Sequence, residues 1–411
     1  MLIANPRATR APYPAELHAL MNIERAQESR RWLSPWRGIA RNRTPLYDLP
    51  DLAERLGIAR FSVKDESQRS SLGSFKALGA PIALLRQLLR LHPELDPEAL
   101  LSGRYAARLK DYTVISATDG NHGRGLAAAA RDIGCRCVIV LHAQVSDERE
   151  QAIARYGARI LRVAGNYDAS VEEAARLARA NGWQVVSDTS YAGYQDIPRD
   201  VMQGYGTIAA EVVEQSGGLP GEPGAFTHML LQGGVGGLAA GLVSYFWELQ
   251  GAQRPRFIVV EPQQADCLLQ SALQGRPARA LGSVDSLMAG LACGETSPLA
   301  WRFLQPSVEH FMTVGDEQAV DAMGALARGG ARDIPIVAGE CGAAGLAALQ
   351  VLRADAALST QVGLDARSRV LIINTEGATA PALYQQLLGE SAAAVLRRQA
   401  DWSAATLGRA R

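Results

Sequence analysis

The chain has 411 residues, 47 % of them hydrophobic and 20 % charged, which at roughly 150 residues per domain allows two or three domains and a large buried core. Its 42 basic and 42 acidic residues give a formal charge of +0, so no nucleic-acid partner and no acidic membrane surface is expected. Met1-Leu2-Ile3-Ala4-Asn5-Pro6 lacks the apolar stretch of a signal peptide, and no apolar run is long enough to span a bilayer; the expected setting is cytoplasmic, with no membrane partner.

Residues up to about Arg43 are rich in Arg, Pro and Trp and read as an arm packed on a domain or on a partner subunit. After it, β-like and helical runs alternate. Strands and helices are expected in the order Phe61–Lys64 (strand), Phe75–Leu91 (helix), Thr113–Ala117 (strand), Gly123–Ile133 (helix), Arg136–Leu141 (strand), Asp147–Arg155 (helix), Arg159–Val163 (strand), Tyr167–Asn181 (helix) and Gln184–Ser187 (strand). The series continues with Asp200–Gln215 (helix), His228–Gln232 (strand), Gly237–Leu249 (helix), Arg256–Glu261 (strand), Asp316–Ala327 and Gly342–Ala354 (helices), Val370–Asn374 (strand) and Ala380–Leu388 (helix). This alternation predicts an α/β fold of right-handed βαβ units, with open, mostly parallel twisted sheets and flanking helices. Ser216–Gly224 is the best turn cluster but reads as a surface loop, so no clean linker divides the chain.

Five cysteines are too few for a disulfide scaffold. Cys135 and Cys137 fall on one face of an expected strand and read as buried thiols, and no metal site is expected. Cys267 and Cys293 flank the loop-rich Gln274–Leu287 and could approach one another, although a reducing compartment favours thiols.

Three segments carry chemistry. In Lys64-Asp65-Glu66-Ser67…Gly73-Ser74-Phe75-Lys76-Ala77, a lysine follows a strand and a glycine-bearing turn and opens an apolar helical stretch. A lone lysine is ordinarily a solvated surface group. Lys76 instead has small or apolar neighbours, which penalise its charged form and suit an amine that makes a Schiff base, as with pyridoxal 5'-phosphate. Thr118-Asp119-Gly120-Asn121-His122-Gly123 links an expected strand to a helix N-terminus, where backbone N–H groups can receive an anion. Asp119 or Asn121 could equally be a simple helix cap. The third segment, Gly233-Gly234-Val235-Gly236-Gly237, follows a strand and precedes a helix, as a phosphate-holding turn does. Its register also matches G-x-G-x-x-A, and Glu261 ends the next expected strand, so a nicotinamide-dependent oxidoreductase is the competing reading. That reading leaves Lys76 and Asn121 unexplained. Asp188 and Thr375 each follow an expected strand, where open α/β sheets place their ligands.

On these motifs the chain resembles the fold-type II pyridoxal-phosphate enzymes, the superfamily of threonine dehydratase and tryptophan synthase β, and within it the diaminopropionate ammonia-lyases. The resemblance runs from Asn5-Pro6-Arg7 and Thr44-Pro45-Leu46 to Thr375-Glu376-Gly377. Ordinary dehydratases carry a Ser-Ser/Thr-Gly-Asn turn where this chain has Thr118-Asp119-Gly120-Asn121. The resemblance implies that Lys76 binds the cofactor, Gly233, Gly234, Val235, Gly236 and Gly237 hold its phosphate, and Asn121 and Thr375 face its ring. Thr118, Asp119, Gly120, Asn121, His122 and Asp188 would surround a small amino-acid substrate. Asp119 and Asp188 would serve the chemistry with Lys76, because a leaving β-amine needs a proton and favours a nearby carboxylate. The implied reaction converts 2,3-diaminopropionate and water to pyruvate and two ammonia, with both enantiomers as candidate substrates. A serine/threonine dehydratase-type ammonia-lyase is the alternative. The implied architecture is a homodimer of two-domain chains, with 1–80 and 191–411 forming the large cofactor domain and 81–190 a small inserted one.

Overall fold

The apolar strands are covered on both faces, as their composition requires. A computed structural model describes residues 1–409 except 119, 144, 166 and 218, with the backbone alone for 167, 168 and 407–409. Among the described residues there are eleven strands: β1 (Leu2–Ala4), β2 (Leu46–Asp48), β3 (Arg60–Asp65), β4 (Thr113–Ala117), β5 (Arg136–His142), β6 (Arg159–Val163), β7 (Gln184–Val185), β8 (His228–Gln232), β9 (Arg256–Pro262), β10 (His310–Val314) and β11 (Arg369–Asn374). They form a seven-stranded sheet in the order β1-β10-β9-β8-β11-β3-β2 and a four-stranded sheet in the order β6-β5-β4-β7. Neighbouring strands are parallel except at the two edges of the larger sheet, where β1 and β2 pair antiparallel.

Alternation along each strand divides its side chains between two cores. Met229 and Leu231 of β8, Phe257 and Val259 of β9, and Leu371 and Ile373 of β11 enter one core. Leu230, Ile258, Val260, Val370 and Ile372 enter the other. The helix Gly79–Leu91 packs on Asn121–Ile133 and on the long helix Asp196–Ser216, joining the two sheets through the larger core. The C-terminal ends of β3, β8 and β11 therefore face those of β4 and β7, the place where open α/β sheets bind ligands.

Several expectations need correction. Phe75–Leu91 is not one helix: a 3₁₀ turn over Phe75–Leu78 precedes the α-helix Gly79–Leu91. The Lys76 carbonyl lies so close to Gly125 that a Cβ there would approach it to 2.9 Å, and the Leu78 carbonyl presses on Gly204 in the same way at 2.2 Å. These backbone contacts hold the tighter turn. The helices begin earlier than expected, at Asn121, Asp196 and Glu340. Pro198 sits in the first turn of Asp196–Ser216, where its missing N–H costs no intrahelical bond. β7 ends at Val185 rather than Ser187. The N-terminal arm does pack on the domain, as expected: it supplies β1 and the helix Ile23–Leu33, which packs on Asp196–Ser216. Cys135 and Cys137 are buried thiols, and Cys267 and Cys293 are not joined by a disulfide. No single described helix is long and apolar enough to cross a membrane.

Candidate active site

The lysine turn is fastened to the end of β11 by a short antiparallel bridge. Ser74 pairs with Glu376, the Phe75 amide donates to the Thr375 carbonyl at 3.0 Å, and the Gly377 amide donates to the Gly73 carbonyl at 3.0 Å. This bridge sets Lys76 beside the buried Thr375. Lys76 Nζ lies 2.5 Å from Asp188 Oδ2, with the two side chains 19 % and 22 % exposed. It also lies 5.3 Å from the Phe75 ring and 5.9 Å from the Tyr205 ring. Burial works against the Lys76 ammonium, as its neighbours predict, but the Asp188 carboxylate outweighs burial and holds its pKa above the ordinary lysine value. Burial likewise works against the Asp188 anion, and the Lys76 charge, with His122 beside it, holds its carboxyl well below the usual range.

Asp188 stands just past β7 in a turn pinned from several sides. The Tyr194 hydroxyl donates to the Val185 carbonyl at 3.0 Å and accepts from the Ser187 amide at 2.9 Å. Ser190 and Ser297 share a hydrogen bond at 2.7 Å, and the Ser297 amide donates to the Val235 carbonyl at 3.1 Å. The Asp188 segment is thereby tied to the glycine turn, where a Cβ on Gly237 would come within 3.9 Å of the Asp188 carbonyl. Gly234 and Gly236 have φ of +61° and +99°, the left-handed region that favours glycine. At Gly236 a side chain would also meet Leu304 at 2.9 Å and Ala300 at 3.0 Å. The amides of Gly234, Val235 and Gly237 have no hydrogen-bond partner among the described residues. Three convergent N–H groups at the start of the helix Gly237–Gln250 are a fitting seat for a phosphate.

Asp119 lies outside the described residues. Around it, Thr118 is buried and its Oγ1 accepts from the Gly120 amide at 3.4 Å. Asn121 opens the helix Asn121–Ile133 and donates its side-chain amide to Glu376. His122 is buried; its Nε2–H donates to the Val186 carbonyl at 2.9 Å. That bond leaves Nδ1 as the bare nitrogen, with no hydrogen bond among the described residues, 3.8 Å from Asp188 Oδ2. Burial, with the Lys76 charge, outweighs Asp188 and holds His122 below its ordinary value.

Lys76, Asn121, His122, Asp188, Thr375 and the glycine turn thus come together from both sheets. Three further groups were not singled out as site residues from the sequence. Tyr205, from the middle of the helix Asp196–Ser216, packs its ring at a tilt against Phe75, with centroids 4.8 Å apart, and faces Lys76, its hydroxyl pushed up to about 12 chiefly by burial. Glu376 holds Asn121, and Glu340 lies beside Glu376, its carboxyl raised to about 7 by burial and by that neighbour. The Ser74 and Thr375 neighbourhood, the amide cradle and the partly exposed Lys76 together suit pyridoxal phosphate. A dinucleotide is not supported, because Glu261 is fully buried and accepts the Leu268 and Leu269 amides at 2.8 Å each, a helix cap rather than a ribose ligand.

Residues 39–376 match the family model described as pyridoxal-phosphate dependent enzyme. The chain is 38 % identical over 360 residues to the diaminopropionate ammonia-lyase of Salmonella typhimurium, covering 84 % of this chain and 87 % of that one. It is 38 % identical over 356 residues to that of Escherichia coli K12, covering 86 % and 88 %. The crystal structure of holo diaminopropionate ammonia lyase from Escherichia coli superposes with a TM-score of 0.85 at 34 % identity, over 94 % of this chain and 96 % of that one. A threonine deaminase from Solanum lycopersicum shares the fold, with a TM-score of 0.68 at 20 % identity over 95 % and 96 % of the two chains.

Proposed function

The chain belongs to the pyridoxal-phosphate-dependent enzyme family, and we propose that it is a carbon–nitrogen lyase converting 2,3-diaminopropionate and water to pyruvate and two ammonia. The observation that carries this reading is the Asp188 carboxylate held against Lys76 at the mouth of the glycine turn. An anion at that point attracts a β-ammonium, which a hydroxyl substrate does not offer.

Lys76 would hold the cofactor, the amides of Gly234, Val235 and Gly237 within the Gly233–Gly237 turn its phosphate, and Asn121 and Thr375 its ring. When bound, pyridoxal 5'-phosphate supplies an electron sink for bonds broken at the substrate's α-carbon. The other roles belong to this chain's side chains. Thr118, Gly120 and Asn121 receive the substrate carboxylate at the helix N-terminus. Asp188 orients the β-ammonium so that nitrogen leaves as ammonia. The Lys76 amine takes the α-proton of the L-enantiomer, and Asp119 takes that of the D-enantiomer. His122 stands beside Asp188, which the Lys76 charge keeps ionised. We further take 81–190 as a small domain inserted in the large one formed by 1–80 and 191–411, and the working form as a cytoplasmic homodimer.

The test is a visible spectrum of the purified protein followed by pyruvate and ammonia assays on each enantiomer, with L-serine and L-threonine as rivals. Diaminopropionate should be consumed fastest, with two ammonia per pyruvate; faster turnover of serine or threonine would make the protein a dehydratase. Asp119→Asn should lower D-enantiomer activity by ~10²-fold or more, the scale of a lost general base, and lower L-enantiomer activity less.

A further inference from the structure

Glu376 is 5 % exposed, yet no lysine, arginine or histidine forms a salt bridge with it among the described residues. A buried carboxylate without a cation is costly, so its place in the fold has a cause other than ion pairing. Its Oε2 accepts from the Asn121 side-chain amide and, at 3.4 Å, from the Thr379 hydroxyl. The backbone holds it there, because Ser74 pairs with Glu376 and the Gly339 amide donates to the Glu376 carbonyl at 2.8 Å. Gly339 also leaves the side chain its room: a Cβ there would come within 3.1 Å of Glu376 Cγ and 3.4 Å of Oε1.

The groups around Glu376 keep it an acceptor. Glu340, buried at the start of the helix Glu340–Ala354, has its own cation at a distance, with Arg149 Nη2 3.8 Å from Oε1. Burial, with the Glu376 charge added, raises Glu340 to about 7, so below neutral pH Glu340 carries the proton. Arg124, one turn into the helix Asn121–Ile133, is buried with its Nε unpartnered and bonds to neither acid among the described residues. An asparagine amide can face a ligand with its oxygen or with its nitrogen. An ionised carboxylate only accepts, so Glu376 admits Asn121 Nδ2 and refuses Oδ1. One N–H is thereby spent, and the second remains as the donor, since the Asn121 side chain makes no other hydrogen bond among the described residues. The bond also ties the helix after β4 to the end of β11, one sheet to the other.

We propose, on the footing that Asn121 faces the cofactor ring, that Glu376 is a positioning residue: it sets the Asn121 amide so that the free N–H meets the ring oxygen. The test is equilibrium dialysis of pyridoxal 5'-phosphate against the cofactor-free parent, Glu376→Gln, Asn121→Ala and the double variant, with the visible band of the bound cofactor as a second readout. Glu376→Gln should weaken retention about tenfold or more, the scale of a lost charge-assisted hydrogen bond. It should also move the band in the same direction as Asn121→Ala. In the Asn121→Ala background the same change should cost less than about twofold, because the residue through which Glu376 acts is gone. Glu376→Asp keeps the charge but stops short of Asn121; it should match Glu376→Gln and serves if that variant fails to fold. No loss from Glu376→Gln, equal losses with and without Asn121, or a loss without a change in the band overturns the proposal and leaves Glu376 as a clasp between the sheets. If Asn121→Ala itself neither weakens retention nor moves the band, the assignment of Asn121 to the ring fails, and the role of Glu376 with it.

Discussion

Lys64 and Lys76 are twelve residues apart in one segment, and both have lost most of their water, yet their surroundings differ in kind. Lys64 is wholly buried and spends all three ammonium protons, on the Thr44 carbonyl at 2.7 Å, Glu211 Oε2 at 2.7 Å and Gln215 Oε1 at 2.8 Å. Glu211 also receives Arg69, which in turn holds Glu66. Two cations and two anions close a network with no free donor at its centre, and burial still wins over Glu66 and Glu211, holding the Lys64 ammonium below its ordinary value. Among the described residues Lys76 has one carboxylate, Asp188, and beyond it an imidazole with a bare nitrogen and a phenol with no acceptor. A saturated cluster fastens β3 to the helix Asp196–Ser216 and the N-terminal arm. An under-partnered one leaves its lysine available for a change of partner, which covalent chemistry requires.

The contrast can be broken at either end. Lys76→Ala should lower turnover by ~10⁴-fold or more, the upper scale for a positioned proton-transfer group, with a smaller fall in the urea midpoint of the cofactor-free protein than loss of the Lys64 network causes, since Asp188 keeps some contact with water. Glu211→Ala should do the opposite. It strands Lys64 and Arg69 in the core, at a cost of ~3–5 kcal/mol, visible as an earlier urea midpoint; an unchanged midpoint would show the network to be dispensable. His122→Asn keeps a donor for the Val186 carbonyl but removes the bare Nδ1. Asp188 then loses a neighbour that, once protonated at acid pH, lowers its pKa, so the acid limb of the pH–rate profile should move to higher pH with KM little changed. An unmoved limb would reduce His122 to packing.

The smallest effect concerns Glu340, whose carboxyl sits at about 7 in the folded protein against about 4.3 unfolded. A raised folded pKa means that the folded form binds more protons through this window. The stability contribution is therefore full below about pH 4.3 and is lost as pH rises through the folded value. Glu340→Gln should flatten the fall in urea midpoint between pH 5 and 8, and an identical fall in both proteins would count against the buried Glu340–Glu376 contact.

What was legible in the sequence was what local chemistry reveals. Lys76 stood out by its small neighbours, the glycine turn by its composition, and Asp188 and Thr375 by their places at strand ends. β1 and β2 were not legible because three residues show no alternation. Tyr205 looks like any aromatic on a buried helix face, and only the approach of Asp196–Ser216 to the lysine turn makes it a neighbour of Lys76. Asn121 and Glu376 meet across 255 residues of chain, a contact no local pattern announces. The split of Phe75–Leu91 into two helical types has the same origin, since Gly125 and Gly204 press on its carbonyls from elsewhere in the chain.

The chain has only three lysines, Lys64, Lys76 and the exposed Lys110. This makes one measurement decisive: borohydride reduction of the cofactor-loaded protein followed by peptide mass mapping. The pyridoxyl mass should appear on the peptide carrying Lys76 and be absent from those carrying Lys64 and Lys110. A label on Lys64, or no lysine label from a protein that carries the cofactor, would contradict the division between a structural and a chemical lysine.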